Sequence, residues 1–198
     1  MPRNPAATRA RIYAAAYTLF YRKGFQRTSL DEIAAKAGVT KRTLYYHVRS
    51  KDELAGAMLE HQHAFVLDQL GRWVGPPGPK IGAPALVGRL FDSVVHWVRA
   101  EAAAKRHWTG SGFTRIAMEL ADLPGHPARI ATRRHKAELE AELARRLAAC
   151  GAVRARDLAA QVQMLLEGAM ALTLIHGDVR YARLAGAAAR RLVMRRKP

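Results

Sequence analysis

Residues 28–53, TSLDEIAAKAGVTKRTLYYHVRSKDE, decide how this chain reads. Ser29 with Glu32 three residues on is the pattern of a capping box, in which hydroxyl and carboxylate each satisfy an orphan amide at a helix start. A helix therefore begins at about Leu30. Leu30, Ile33, Ala34 and Ala37 recur at helical spacing and form one apolar stripe, with Asp31, Glu32 and Lys36 elsewhere on the wheel. Gly38 ends it, since glycine tolerates the left-handed backbone of a helix C-terminus. Thr40 can cap a second helix whose first turn exposes Lys41, Arg42 and Thr43, donors suited to phosphate oxygens and purine edges. Leu44 and Val48 anchor that helix, and Tyr45, Tyr46 and His47 carry polar tips on rigid bodies. Ser50 with Glu53 is a second capping box. Lys51 stands at the start of the helix it opens, where free amides and the positive dipole end favour a phosphate. Two short helices about a glycine turn, the second basic and aromatic, read as a helix-turn-helix over about 29–48 with double-stranded DNA as the expected partner.

The charge distribution agrees. Residues 1–51 hold eleven Lys and Arg against two acids, a balance of +9 within the chain's +17. Such a patch attracts the phosphate backbone regardless of sequence and in a salt-dependent way, and base contacts then confer choice. The competing reading, a helical hairpin of a bundle that binds no nucleic acid, explains Ile33, Leu44 and Val48 equally well. It does not explain two capping boxes, a glycine hinge and seven basic or hydrogen-bonding residues among the eight from Thr40 to His47. An anionic membrane would also suit a basic face, but no hydrophobic segment accompanies it.

The same stretch resembles the DNA-binding domain of the tetracycline-repressor (TetR) family of bacterial transcriptional regulators. The resemblance rests on Thr43-Leu44-Tyr45-Tyr46-His47-Val48, on Ser50-Lys51-Asp52-Glu53-Leu54, and on the lead-in Phe20, Gly24-Phe25 and Thr28-Ser29-Leu30. It implies that Lys41, Arg42 and Thr43 read bases, and that Thr28, Thr40, Tyr45, Tyr46, His47 and Lys51 hold the DNA backbone. Many relatives have Phe where this chain has Val48, a change in the core and not in the DNA-facing surface.

Nearly every other segment reads as helix, so the fold class is all-α. Ile12, Ala15, Ala16, Leu19 and Phe20 stripe a first helix ended at Gly24. A fourth, from about 51 to 73, carries two apolar rows and is expected to join two domains, a DNA-binding domain over 6–52 and a helical effector-binding and dimerisation domain over 53–198. Gly75-Pro76-Pro77-Gly78-Pro79 and Asp122-Leu123-Pro124-Gly125-His126-Pro127 mark loops. A fifth helix passes through Val87 to Val98, a sixth through Phe113 to Leu120, a seventh through Leu139 to Leu147. An eighth runs from about Asp157 to His176 and a last from Tyr181 to Arg195. The basic tail Arg195-Arg196-Lys197 reads as a solvated helix end.

Two features of the second domain bear on mechanism. The last two helices carry small and apolar rows, Leu165, Ala169 and Leu172 on one and Ala185, Ala188, Ala189 and Leu192 on the other. Small residues let helices approach closely, within a subunit or between two. The resemblance implies a homodimer closed by a four-helix bundle of these elements, and a dimer suits a palindromic operator because one recognition helix covers few base pairs. The second feature is a set of inward aromatic and methionine residues: Phe65, Phe91, Trp97, Phe113, Met118, Met164 and Met170. The resemblance suggests that they line a small-molecule pocket; simple core packing explains them as well. His61 on an apolar row and Glu167 in an apolar run extend the set. A buried carboxylate needs a partner, here a cationic ligand, an arginine of the other subunit or an arginine of the same chain. The sequence names no effector. The resemblance favours a repressor released by its ligand.

Other classes fit less well. The eight histidines include no helical i, i+4 pair, and no nucleophile setting, phosphate-cradling glycine loop or strand pattern appears, so neither an enzyme nor a metal or cofactor site is expected. One cysteine, Cys150, excludes an internal disulfide. No run of eighteen apolar residues or signal-peptide pattern appears, and the expected location is cytoplasmic. A DNA-compacting protein without sequence preference is the alternative reading that the charge allows.

Overall fold

The computed structural model describes residues 4–76, 78, 81–104 and 106–194. The loop residues Pro77 and Pro79 and the tail Arg195-Arg196-Lys197 lie outside the described residues. Among the described residues there are nine helices: α1 Pro5–Lys23, α2 Leu30–Ala37, α3 Lys41–His47, α4 Lys51–Val74, α5 Ala83–Ala103, α6 Gly112–Glu119, α7 Pro127–Ala149, α8 Ala155–His176 and α9 Arg180–Val193. No strand occurs among the described residues, as the periodicity requires.

The chain packs as two compact units, residues 1–65 with 111–135, and residues 66–110 with 136–198. This differs from a cut at residue 52. The first unit takes in α6 and the start of α7 because their polar groups are spent on the N-terminal helices. Arg115 donates to the Tyr21 carbonyl at 2.8 Å, and Gln26 and Glu119 bond each other through backbone and side chain. Gly56 of α4 faces Pro127 at the start of α7 so closely that an added Cβ would lie 2.7 Å from the proline Cβ. The core of this unit holds Ile12, Ala16, Phe20, Ile33, Leu44 and Leu54, all fully buried. Each large aliphatic or aromatic side chain among them stabilises the fold by roughly 1.5–3 kcal/mol relative to exposure.

In the second unit, Leu86, Val87, Leu90, Phe91 and Val94 of α5 form the centre, with Leu139, Leu143 and Leu147 of α7, Val162 and Leu166 of α8 and α9 packed on them. On α9, Ala182, Gly186, Ala189 and Val193 are the buried positions. A Cβ at Gly186 would stand 2.8 Å from the Cβ of Phe91, so small residues are what let α9 lie against α5. Of the small row expected at a subunit interface, Ala189 is therefore spent inside the chain, and Ala169 of α8 is likewise 3% exposed. Leu165, Ala185 and Ala188 are half-buried, whereas Leu172 and Leu192 are exposed. One described helix, Ala155–His176, is long and apolar enough by length and composition to cross a membrane; only 33% of its most apolar window is buried. Its exposed large apolar residues are Met164, Leu172, Leu174 and Ile175.

Candidate nucleic-acid interface

Both capping devices of the turn region form, and they fix where α3 stands. Ser29 Oγ accepts the Glu32 N–H at 3.2 Å while the Glu32 carboxylate accepts the Ser29 N–H at 2.9 Å, a reciprocal box. Lys23 also pairs with Glu32. That ammonium and the Ser29 amide lower the Glu32 pKa from 4.5 to about 2. At the other end of α2, Gly38 takes φ 63°, ψ 38°. The N–H groups of Gly38 and Val39 then bond the carbonyls of Ala35 and Ala34 at 3.1 and 3.0 Å, which closes the helix as a Schellman turn. Thr40 follows in extended conformation, and its hydroxyl accepts the Thr43 N–H at 3.1 Å to start α3.

Because Leu44 and Val48 are buried at 0% and 4%, the opposite face of α3 points to solvent. Lys41 and Arg42 are exposed, Tyr45 is 48% and Tyr46 84% exposed. Tyr46 stands edge-on to the half-buried His47, with ring centroids 5.4 Å apart. An almost fully exposed tyrosine has no packing role on its own chain, and with its neighbours it forms a basic, aromatic, hydrogen-bonding surface one helix wide. Lys41 pairs with Asp31 of α2 at 2.9 Å, and this carboxylate raises the lysine pKa. The ammonium is thus charged and held by a ligand that a phosphate or base edge can replace.

Two expected DNA contacts have other duties. Thr28 is 2% exposed; its hydroxyl donates to the Gly24 carbonyl at 2.8 Å and its N–H to the Phe25 carbonyl at 3.3 Å. Both donors are consumed in the turn before α2, so Thr28 shapes the motif and does not reach the outer surface. Lys51 donates to the carbonyls of Phe25 and Thr28, each at 3.2 Å, and lies 4.4 Å over the Phe25 ring. It ties α4 to that same turn, and two of its three protons are already bonded. Nor is the second capping box reciprocal: Ser50 Oγ accepts the Glu53 N–H at 3.0 Å, but the Glu53 carboxylate accepts from Arg49 N–H at 3.1 Å.

A further brace escaped the sequence reading. His126, 7% exposed, accepts the Ala128 N–H at its Nδ1, which places its ring proton on Nε2, 3.3 Å from Asp52. The ring meets Phe25 edge-on at 5.3 Å. An isolated histidine in an Asp-Leu-Pro-Gly-His-Pro loop carries no signal for such a role.

The residues expected around a ligand are divided between the two units. In the first unit His61 is exposed beside Tyr13 and is not on a buried row, Phe65 and Met118 are 57% and 69% exposed, and Phe113 is buried, stacked on His135 at 3.8 Å. In the second, Phe91 is core, Met164 is 66% exposed, Met170 is buried, and Trp97 stands edge-on to Trp108. Glu167 pairs with Lys136 of α7, so its partner is a lysine of the same chain and none of the three anticipated. An open cleft of about 680 Å³ between α7 and α8 is floored by Ala137, Ala141, Ala144 and Ala148, and none of the nine expected residues lines it.

The comparisons with known proteins fall on this motif. Residues 12–58 match the family model described as bacterial regulatory proteins, tetR family. Over 56 residues the chain is 46% identical to the HTH-type transcriptional regulator TtgR of Pseudomonas putida, a match covering 28% of this chain and 27% of that one. The chain thus spans about a quarter of the length of the curated relatives it matches there. A longer match, 29% identical over 147 residues, covers 74% of this chain and 65% of the HTH-type transcriptional repressor SCO4008 of Streptomyces coelicolor. Among solved structures, SCO4454, a TetR-family transcriptional regulator from Streptomyces coelicolor, superposes with a TM-score of 0.80 at 25% identity, covering 96% of this chain and 97% of its own.

Proposed function

We propose that this chain, which belongs to the TetR family of bacterial regulatory proteins, is a non-catalytic transcriptional regulator that binds a palindromic operator as a homodimer and is released by a small-molecule effector. The observation that carries the reading is the outward face of α3, where Lys41, Arg42, Tyr45 and Tyr46 are exposed, with Thr43 half-buried beside them, on a helix pinned by Leu44. In this reading Lys41, Arg42 and Thr43 meet base edges in the major groove, and Thr40, Tyr45, Tyr46 and His47 hold phosphates. The relatives named as repressors favour repression.

A dimer is supported by what α8 and α9 leave uncovered. Met164, Leu172 and Ile175 lie along one side of α8, and Leu184 and Leu192 recur at helical spacing on α9, all exposed. Exposed apolar rows of this kind are costly in water and suit a second copy of the same helices about a twofold axis. Two recognition helices in successive major grooves, about 34–36 Å apart, then read one palindrome. An effector that favours a subunit arrangement with another spacing releases DNA, by about 1.4 kcal/mol for each tenfold shift. Such a protein acts where the chromosome is, which makes the cytoplasm the proposed location.

Selection of DNA from a random library on the purified chain, at moderate salt and with sequencing of the bound pool, tests this. Enrichment of one palindrome is expected. Enrichment of nothing beyond base composition would overturn sequence-specific regulation in favour of DNA compaction, for which the charge alone suffices.

A further inference from the structure

Residues 1–51 hold two acids, Asp31 and Glu32, among eleven Lys and Arg. Glu32 has a structural duty, since its carboxylate accepts the Ser29 N–H and pairs with Lys23. Asp31, one residue earlier in the first turn of α2, bonds no backbone amide among the described residues. Both of its oxygens meet the Lys41 ammonium instead, at 2.9 and 3.1 Å. The Asp31 side chain is 65% and that of Lys41 61% exposed, and an ion pair so open to water adds little to stability. Lys41 is the first residue of α3, so the pair stands where the recognition helix begins. A carboxylate in that place repels phosphates, and an ammonium attracts them. Fold stability therefore does not account for Asp31, and affinity for DNA in general is weakened by it. What remains is choice among DNA sequences, to which a repulsive group contributes by rejecting wrong partners.

We propose that Asp31 is a specificity-determining residue, and that with Lys41 it reads one G·C base pair in each half-site: Lys41 donates to guanine O6 and N7, and Asp31 accepts from the cytosine N4 amino group. The inference rests on the DNA-binding reading above. Seen from the major groove, a G·C pair presents two adjacent acceptors, N7 and O6, and then one donor, N4. A donor and an acceptor side by side, 2.9 Å apart, are the complement of that edge. An A·T pair has its one donor, adenine N6, flanked by acceptors on both sides, so a lysine beside the carboxylate reaches only one of them. The ammonium has three protons, and those not given to Asp31 suffice for the two guanine acceptors. As it turns toward guanine it releases carboxylate lone pairs, which face a polyanion at a cost unless a donor meets them; the cytosine amino group is that donor. A base with an acceptor in the same place leaves the carboxylate unpaired, and this is the source of the discrimination.

The test is selection from a random duplex library by the full-length wild type, Asp31→Ala and Asp31→Asn, followed by titration of the enriched site and of copies with one base pair changed. Wild type should prefer G·C at one position of each half-site by about tenfold or more. In Asp31→Ala that preference should fall to less than about threefold while other positions keep theirs. Its binding to DNA without the site should be as tight or tighter, because a negative charge is gone. Asp31→Asn gives a second reading if the alanine variant fails to fold: an amide both accepts and donates, so A·T should become acceptable at that position. Removing Asp31 in a Lys41→Met background should still relax the choice of cytosine. No further change there would make Asp31 a support for Lys41 alone and overturn the contact. Weakening spread over every position, or a wild-type preference for A·T at the position that Asp31 controls, also overturns it. A wild type that enriches no site overturns the regulator reading together with this one, whereas a palindrome enriched unchanged by both variants overturns this inference alone.

Discussion

The side-chain carboxylate of Glu119 accepts the backbone N–H of Gln26 at 3.1 Å, and the Gln26 side-chain amide returns a bond to the Glu119 carbonyl at 3.2 Å. These residues are 93 positions apart, and between them they hold the end of α6 on the turn that leads into α2. The arrangement also explains Gly24: a Cβ there would meet the Glu119 carboxylate at 2.6 Å, and its φ of 93° suits glycine. Glu119→Ala should lower stability by about 1–2 kcal/mol in urea unfolding, since a half-exposed charge-assisted bond is lost. Glu119→Gln, which keeps an acceptor, should lose less. Equal stability of all three proteins would remove the brace from the account.

Arg42 and Lys51 should separate in a salt titration of operator binding. Arg42 is exposed and has its charge to give, so Arg42→Ala should reduce the slope of log K against log salt by about one unit of contact. Lys51 is bonded to the Phe25 and Thr28 carbonyls, so Lys51→Met should leave the slope nearly unchanged while lowering the thermal midpoint. A full unit of slope lost in the Lys51 variant would restore it as a phosphate contact.

The pH dependence of α2 follows from Glu32. Its pKa is depressed in the folded chain, from 4.5 to about 2, so its contribution is present above the unfolded value and is lost as pH falls from about 4.5 toward 2. Wild type should therefore be more stable than Glu32→Gln at pH 6, with the gap narrowing below pH 4.5 and closing near pH 2. Thermal melts at a series of pH values read this directly, and a gap independent of pH would contradict it.

Ile175, 71% exposed on α8, distinguishes the outward row from the inward one. Ile175→Asp should convert a dimer to monomers in sedimentation velocity with the helical spectrum intact, because it places a charge at an interface and not in a core. Ala189→Leu, by contrast, should destabilise the subunit by about 1–3 kcal/mol through overpacking, since Ala189 is fully buried. An Ile175→Asp variant that stays dimeric, or a wild type that is monomeric, would remove the α8–α9 interface.

Much of the motif was legible because its information is local. The Ser29–Glu32 box, the Gly38 closure and the Thr40 cap are patterns within four residues, and each appears with the bonds its residue types dictate. The four-residue logic fails once a side chain has a choice of distant partners. Ser50 and Glu53 have the same spacing as Ser29 and Glu32, yet the second carboxylate goes to Arg49. Lys51 has the right position for a phosphate, but two carbonyls more than twenty residues upstream lie within its reach.

The second unit was legible as helices and hardly as a site. Periodicity says that a face is apolar; it does not say whether that face meets another helix of the same chain, a ligand or a second copy. Ala189 and Leu192 sit on one small-residue stripe, and one is fully buried while the other is 38% exposed. The aromatic set fell apart for the same reason, with Met118 and Met164 outward and Phe91 inward.

By itself, then, the sequence determined an all-helical chain with a basic, capped helix-turn-helix near its start, because helix periodicity, caps and glycine turns act over a few residues and need no knowledge of the rest. Tertiary structure alone decided which donors remain free. Thr28 and Lys51 spend theirs on carbonyls at 2.8 and 3.2 Å, and Lys136 spends one on Glu167, whereas Lys41 and Arg42 stand exposed on α3. Hydrogen bonds and close packing reward whichever groups the fold brings within about 3 Å, and that proximity is set by the packing of whole helices, not by spacing along the chain.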